Sequence, residues 1–163
     1  MNAMPRYLAA ALALAALSAC GGNGETRAPA PGARATDSGP QHVHGVGGNP
    51  ADGALVIATH TGLFRAMPGE QRAKRVGDLY QDTMGFTVVG PDRFLGSGHP
   101  DARADLPPLL GLIRSEDAGR TWTPVSLLGK ADFHVLRAAA RQVYGFDSTQ
   151  ARLLVSDDGG RSC

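Results

Sequence analysis

An eight-residue motif occurs twice in this chain of 163 residues. It reads Ser-Glu-Asp-Ala-Gly-Arg-Thr-Trp from Ser115 to Trp122 and Ser-Asp-Asp-Gly-Gly-Arg-Ser-Cys from Ser156 to Cys163, so the two copies begin 41 residues apart. A repeat at this interval is typical of folds in which one small supersecondary unit is stacked several times. Two chance turns of the Asp-Gly type are the alternative, which the shared positions at one unit length disfavour. The chain is therefore predicted to be a tandem repeat.

The residues of the motif suit a tight hairpin turn. The aspartate at its third position can accept hydrogen bonds from backbone N–H groups of the turn, and the serine at its first position can add a second such bond. The glycine at the fifth position supplies a positive φ that a side chain would resist. Trp122 adds an apolar anchor between strands. The predicted structural residues are Ser115, Asp117, Gly119, Thr121 and Trp122 in the first copy and Ser156, Asp158 and Gly160 in the second.

The pattern Ser-x-Asp-x-Gly-x-Thr-Trp resembles the Asp-box, or BNR repeat, of sialidase-like and sortilin-like β-propellers. The resemblance implies that each copy forms a turn within one four-stranded blade, and an interval of 41 residues fits one blade. Segments rich in β-branched and aromatic residues, bounded by Gly, Pro, Asn and Asp, independently predict strands throughout residues 42–163. The predicted fold is all-β, a partial β-propeller of about three four-stranded blades with Asp-box turns. The blades are expected at about 42–77, 78–125 and 126–163, with an insertion at 101–108 in the middle one.

Three blades are fewer than the four to eight of a closed propeller. An open arc would leave an unpaired strand edge and an apolar face at each end. We expect either that this chain is the N-terminal part of a longer propeller or that several copies assemble into a ring. The second motif stops at Cys163, where the pattern has tryptophan, and this favours the first alternative.

The N-terminus predicts export. Arg6 precedes an apolar stretch over residues 8–17, which is too short to span a bilayer and suits a signal peptide over residues 1–19. The sequence Leu17-Ser18-Ala19-Cys20 resembles the lipobox of bacterial lipoproteins, which implies diacylglycerol on the Cys20 thiol and anchoring in the lipid bilayer. The protein is then expected in the bacterial cell envelope, facing the periplasm or the exterior. An ordinary signal peptide with an incidental cysteine is the alternative.

Composition narrows the possible partners. Residues 20–41 are rich in Gly, Ala, Pro and Thr and predict a disordered tether between the lipidated cysteine and the folded part. With two cysteines in the chain, lipidation of Cys20 leaves no intramolecular disulfide. A net charge of +1 with interspersed acids and bases offers no basic stripe, so nucleic acid is not an expected partner.

Histidines recur at equivalent positions when the blades are superimposed. In propellers the first strand of each blade lines the central channel, so these side chains can converge on the axis. His42 and His44 are also expected on one face of a strand. Imidazole with thioether suits copper, whereas imidazole with carboxylate suits zinc or another divalent ion. The alternative is that these side chains cap strands and touch solvent. The first strands begin with His44, Met84 and His134, and the second strands end near His60, His99 and Asp147, so the candidate ligands are His42, His44, His60, Met84, His99 and His134.

The chain from Cys20 onward resembles bacterial Asp-box lipoproteins of a glycosyl-hydrolase-like or exo-sialidase-like group. This resemblance rests on the lipobox, the opening His-Val-His-Gly, the segment Thr59–Leu63 and the two boxes. A sialidase would need an arginine triad, a tyrosine nucleophile paired with a glutamate, and an aspartate acid/base. The segment Phe64–Pro68 is one residue too long for the Arg-Ile-Pro opening of sialidases, and Tyr80 and Tyr144 have no obvious glutamate partner. No catalytic residue is predicted.

Two function classes follow from this reading. The first is a membrane-anchored extracytoplasmic binding module for a protein, glycan or metal. The second is an exo-sialidase-like glycoside hydrolase whose catalytic residues are incomplete in this chain. An assembly factor for membrane complexes is a third class, which rests on fold analogy alone.

Overall fold

The computed structural model describes residue 37 and residues 39–162, and the structural statements below refer to these residues. They form eleven β-strands and no helix. Accordingly, none of them contributes a helix long and apolar enough to cross a membrane. The strands are β1 (Val43–Gly48), β2 (Leu55–Thr59), β3 (Gly62–Ala66), β4 (Lys74–Arg75), β5 (Asp82–Gly90), β6 (Arg93–His99), β7 (Leu112–Ser115), β8 (Thr123–Ser126), β9 (Phe133–Ala139), β10 (Gln142–Asp147) and β11 (Arg152–Ser156).

The strands pair in chain order into three antiparallel sheets. The first sheet has the order β1-β2-β3-β4, the middle sheet β5-β6-β7-β8, and the third sheet β9-β10-β11. None of the three closes on itself. The prediction of an all-β fold is confirmed. Two sheets have the four strands predicted for a blade, and the third has three among the residues described.

The first and middle sheets pack face to face through an apolar cluster. Val56, Ala58 and Leu63 of the first sheet meet Phe86 and Phe94 of the middle sheet. The two phenylalanine rings stand edge to face, with centroids 5.5 Å apart, a favourable arrangement for aromatic pairs. Burial of these side chains is the main force that holds the two sheets together. Val76 and Ala118 complete the buried cluster, and Val88 and Trp122 lie at its margin.

The opposite face of the middle sheet packs on the third sheet. Successive side chains of a strand point to opposite faces, so Phe94 faces the first sheet while its neighbour Leu95 joins a second cluster. That cluster includes Leu112 from the middle sheet and Leu136 and Val143 from the third sheet. The middle sheet is therefore covered on both faces, as the sequence pattern of its strands requires.

The first strands of the three sheets lie side by side. Strand β5 contacts both β1 and β9, and glycines allow this close approach. A Cβ atom added at Gly47 would lie 2.6 Å from Cγ2 of Val88. One added at Gly85 would lie 2.3 Å from the carbonyl oxygen of Phe133. A larger residue at either position would push neighbouring sheets apart.

Both copies of the eight-residue motif form hydrogen-bonded turns, which we call the first turn (residues 115–122) and the second turn (residues 156–162). In the first turn, Oγ of Ser115 accepts from N–H of Gly119 (2.8 Å) and donates to Oδ1 of Asp117 (2.9 Å). Asp117 also accepts from the backbone N–H (2.9 Å) and the hydroxyl (2.7 Å) of Thr121. The two side chains thereby satisfy backbone donors that the tight turn would leave unpaired.

The second turn repeats this network. Oγ of Ser156 accepts from N–H of Gly160 (2.9 Å) and donates to Oδ1 of Asp158 (2.8 Å). Asp158 accepts from the N–H (3.0 Å) and hydroxyl (2.7 Å) of Ser162. Cys163 lies outside the described residues, as does Cys20 together with the predicted signal peptide and most of the tether.

The outer faces of the first and third sheets expose apolar side chains. On the third sheet, Val135, Phe146 and Leu153 stand in register across all three strands and are 56, 39 and 66% exposed. On the first sheet, Val46 and Leu55 are similarly exposed. The two ends of the stack therefore differ from the middle sheet, whose faces are both covered.

Candidate metal-binding site

The candidate ligand side chains lie at one end of the three sheets, where β1, β5 and β9 begin and β2, β6 and β10 end. Antiparallel pairing brings Val43 opposite Thr59 and Asp82 opposite His99. Because β1, β5 and β9 are neighbours, the corresponding ends of the sheets adjoin. This sheet end carries two groups of imidazole and carboxylate side chains, which we describe in turn.

The first group consists of His44, His60 and Asp82, and one donor atom from each lies within 4.8 Å of the others. Nδ1 of His60 is 3.0 Å from Oδ2 of Asp82, and Nε2 of His44 is 3.6 Å from Oδ1. His44 lies on β1, Asp82 begins β5, and His60 follows β2. The two neighbouring sheets thus both contribute to the group.

Burial is the main cause of the pKa shifts of two side chains in this group. Burial of the ring lowers the pKa of His44, and the nearby Asp82 carboxylate opposes that shift only in part. Burial raises the pKa of Asp82 above its usual value, although His60 and His44 both lower it. Burial thus shifts the pKa of each of these two side chains towards its neutral form, relative to the free side chain.

Two atoms of this group are buried without a hydrogen-bond partner, Nε2 of His44 and Oδ1 of Asp82. An unpaired buried polar atom costs about 1–3 kcal/mol, and a cation between the two would satisfy both. An ion held about 2.0–2.2 Å from two ligands in tetrahedral geometry sets the ligand atoms about 3.3–3.6 Å apart. The 3.6 Å separation fits this requirement, and the 3.0 Å separation needs a small adjustment. The residues fit a divalent ion.

The predicted ligand His42 lies beside this group rather than in it. It is exposed, precedes β1 and has a positive φ of 52°. Its ring centroid is 5.8 Å from that of His60, and the centroid of His44 is 6.0 Å from the same ring. Both rings of the His-x-His pair therefore lie near His60, whereas Asp82 contacts His44 and His60.

The second group consists of His99, Asp132 and His134. Oδ2 of Asp132 lies 2.8 Å from Nε2 of His134 and 3.6 Å from Nε2 of His99. The hydroxyl of Ser148 also donates to this oxygen at 3.3 Å. Asp132 is 4% exposed, and its other carboxylate oxygen has no hydrogen-bond partner.

The predicted equivalence of Asp147 with His60 and His99 is off by one residue. A register shift between Phe146 and Asp147 pairs Asp147 with Phe133, so Ser148 takes the place opposite Asp132. Asp147 is fully buried, and its Oδ1 accepts from N–H of Asp132 and from Thr149. Asp147 therefore fixes the loop before β9 instead of facing the histidines.

The carboxylates that complete both groups, Asp82 and Asp132, were not among the predicted ligands. A signal for them exists in the sequence. Asp82 stands two residues before Met84, and Asp132 two residues before His134, as His42 does before His44. Met84 itself is half-buried on β5.

A surface depression of about 480 Å³ lies elsewhere. It is lined by Asp78, Asp101, Arg103 and Arg120 among others, and by none of the histidines. Arg103 binds both Asp101 and Asp78, so both aspartates that line the depression already have a cationic partner. We prefer the histidine–aspartate groups, because their buried donors are unpaired.

No protein-family model matches this chain, and no curated protein matches it significantly.

Proposed function

We propose that this chain is a membrane-anchored extracytoplasmic β-propeller module that binds a divalent metal ion at the histidine–aspartate end of its sheets. The observation that carries the metal proposal is the first group, in which three donor atoms lie within 4.8 Å. Two of its atoms, on His44 and Asp82, are buried without a partner. Imidazole with carboxylate is a ligand set that suits zinc and similar ions.

Several contacts support the propeller assignment. Three antiparallel sheets stack face to face, and their first strands lie side by side, as the blades of a propeller do around an axis. Each turn also lies against the preceding sheet. A Cβ atom added at Gly119 would meet Leu63 of the first sheet, and one added at Gly160 would meet Leu112 of the middle sheet. The Asp-box resemblance predicts such a repeated arrangement.

The membrane anchor rests on residues 1–41 alone, through the lipobox-like sequence that ends at Cys20. A Cys20→Ser variant is expected to leave the membrane fraction, because the thiol that would carry the lipid is missing. Fractionation of cells that express either form tests this directly. Equal amounts of both forms in the membrane fraction would contradict the anchor.

Zinc titration of the full chain tests the metal proposal. Zinc at 100 times its dissociation constant is expected to stabilise the fold by about 2.7 kcal/mol, because it binds only the folded site. Chelation should remove this gain. The ion also counters the burial that raises the pKa of Asp82, so the carboxylate should ionise at lower pH when zinc is bound.

Two variants and a control make the titration specific. Asp82→Asn and His44→Gln each remove one donor of the first group and should abolish most of the zinc-dependent rise in melting temperature. Asp105→Asn removes an exposed carboxylate of the loop before β7 and should change nothing. Equal zinc responses in all four proteins would contradict the site, and hydrolysis of a fluorogenic sialoside would instead favour the glycosidase alternative.

A further inference from the structure

We propose that His99, Asp132 and His134 form a second divalent-cation site beside the first, so that this end of the sheets takes two ions. This inference rests on the proposed function, because it extends ion binding from the first group to the second. It is carried by separate residues. Among the residues described, only the first group has three donor atoms within 4.8 Å of one another, so the side chains of the second group must rotate towards each other to bind one ion. The second group is assembled from the middle and third sheets.

The hydrogen bond of His99 determines which of its nitrogens is available. Nδ1 lies 2.8 Å from the carbonyl oxygen of Pro108. A carbonyl only accepts, so Nδ1 carries the proton and donates. In the neutral ring, Nε2 then presents a lone pair towards Asp132.

That lone pair faces another acceptor. Nε2 of His99 is 3.6 Å from Oδ2 of Asp132, which is long for a charge-assisted hydrogen bond of about 2.7–2.9 Å. It is close to the separation of about 3.3–3.6 Å expected for two ligands of one tetrahedral ion. A divalent ion between these two atoms would bind both.

Asp132 supplies the buried charge that an ion would compensate. Its side chain is 5% exposed and lies against both histidine rings, and its Oδ1 has no hydrogen-bond partner. His134 holds the other oxygen through Nε2 at 2.8 Å. A neutral imidazole can move its proton to Nδ1 and offer the Nε2 lone pair to an ion, so this contact can be exchanged for metal ligation without a net change in the proton count of His134.

The two groups adjoin at this end of the sheets. Asp82 of the first group and His99 of the second are directly opposite each other on β5 and β6. Two ions bound here would therefore occupy neighbouring positions.

Zinc stoichiometry of the full chain, measured by equilibrium dialysis and elemental analysis, tests the inference. We expect two zinc ions per wild-type chain. Asp132→Asn should bind one, Asp82→Asn should bind one, and the double variant none. His99→Gln is a second variant for the second site, chosen because its side chain is 43% exposed and its replacement is less disruptive than that of a buried aspartate. Asp105→Asn should retain both ions.

The outcomes separate this inference from the proposed function. One ion per chain, lost in Asp82→Asn but retained in Asp132→Asn and His99→Gln, would overturn the second site and leave the first intact. One ion that requires both aspartates would overturn the inference in favour of a single shared site. No bound zinc in a chain whose circular dichroism shows an intact β fold would overturn both.

Discussion

The first and second turns share their hydrogen bonds but differ in their apolar contacts. Corresponding serine and aspartate bonds agree within 0.1 Å between the two turns. The residue between the aspartate and the buried glycine is Ala118 in the first turn, with φ of 60°, and Gly159 in the second, with φ of 75°. The polar network thus specifies one backbone path, and alanine tolerates the positive φ in the first turn because its methyl group joins the apolar cluster.

The two turns also lie against different sheets through the same kind of contact. Gly119 of the first turn lies against Leu63, and Gly160 of the second turn lies against Leu112. Each leucine belongs to the third strand of the preceding sheet. The turn therefore sets the spacing between consecutive sheets, whereas the tryptophan adds a separate apolar anchor to the first turn.

Replacement of Trp122, which has no counterpart among the described residues of the second turn, is expected to change the free energy of unfolding most. Trp122 packs against the first apolar cluster, and a Cβ atom added at Gly96 would lie 3.0 Å from its ring. Trp122→Ala should lower the free energy of unfolding by about 3 kcal/mol, because a large cavity forms between strands. Urea denaturation measures this. Trp122→Phe should recover part of the loss, and a loss below about 1 kcal/mol for the alanine variant would contradict the anchoring role.

The glycines give the next largest effect and test whether the two turns are equivalent. A Cβ atom at Gly119 would lie 2.2 Å from Cδ2 of Leu63, and one at Gly160 would lie 2.1 Å from Cδ2 of Leu112. Both glycines also have positive φ. Gly119→Ala and Gly160→Ala should each cost about 2 kcal/mol, from backbone strain and displacement of the leucine. A large effect at one position only would break the equivalence.

The serines should give somewhat smaller and similar effects. Ser115 and Ser156 are buried, and each accepts from a buried glycine N–H. Replacement by alanine leaves that N–H unpaired and should cost about 1–2 kcal/mol. Thermal unfolding of the two alanine variants measures this. Ser126→Ala removes a different hydrogen bond of the second turn, the one that the Ser126 hydroxyl donates to the carbonyl oxygen of Gly160 at 2.6 Å. Comparing it with Ser156→Ala separates the loss of the Ser156 bond from a general loosening of the second turn. A neutral result for both variants would show that the glycine N–H finds another partner.

Acidification should give the smallest effect. Hydrogen bonds from Ser162 lower the pKa of Asp158. Burial opposes the ionised form of Asp117, but hydrogen bonds from Thr121 and Ser115 outweigh it, so its pKa is also lowered. A lowered folded-state pKa contributes stability above the unfolded value of about 3.9, which is lost as the pH falls through the folded value. Melting temperatures should therefore fall below about pH 4.

Variants of the two aspartates separate this effect from general acid denaturation. Asp117→Asn and Asp158→Asn should each flatten the dependence of melting temperature on pH below about pH 4, because the replaced side chain no longer titrates there. Unchanged slopes in both variants would assign the acid sensitivity to other carboxylates.

Much of the fold could be predicted from the sequence, because strand patterns and turn residues are local signals. The sequence pattern indicated strands throughout residues 42–163, and the described residues form eleven strands in three sheets. Ser115 and Ser156 each accept a hydrogen bond within a turn. The Asp147 register was wrong because the irregularity after Phe146 leaves no recognisable residue pattern. Asp82 and Asp132 could not be predicted from the repeat of the histidines, because most of the contacts that group these carboxylates with imidazole rings join residues of neighbouring sheets.

The contact of each turn with the preceding sheet has a consequence for the order of folding. Leu63 precedes Gly119 in the chain, and Leu112 precedes Gly160. Each contact between a turn and the preceding sheet can therefore form as soon as the turn has been synthesised. A nascent chain can thus add sheets one at a time onto a surface that has already formed, in the nearest-neighbour manner of repeat proteins. We expect co-translational protection from proteolysis to rise in steps as successive sheets emerge, beginning from the N-terminal side.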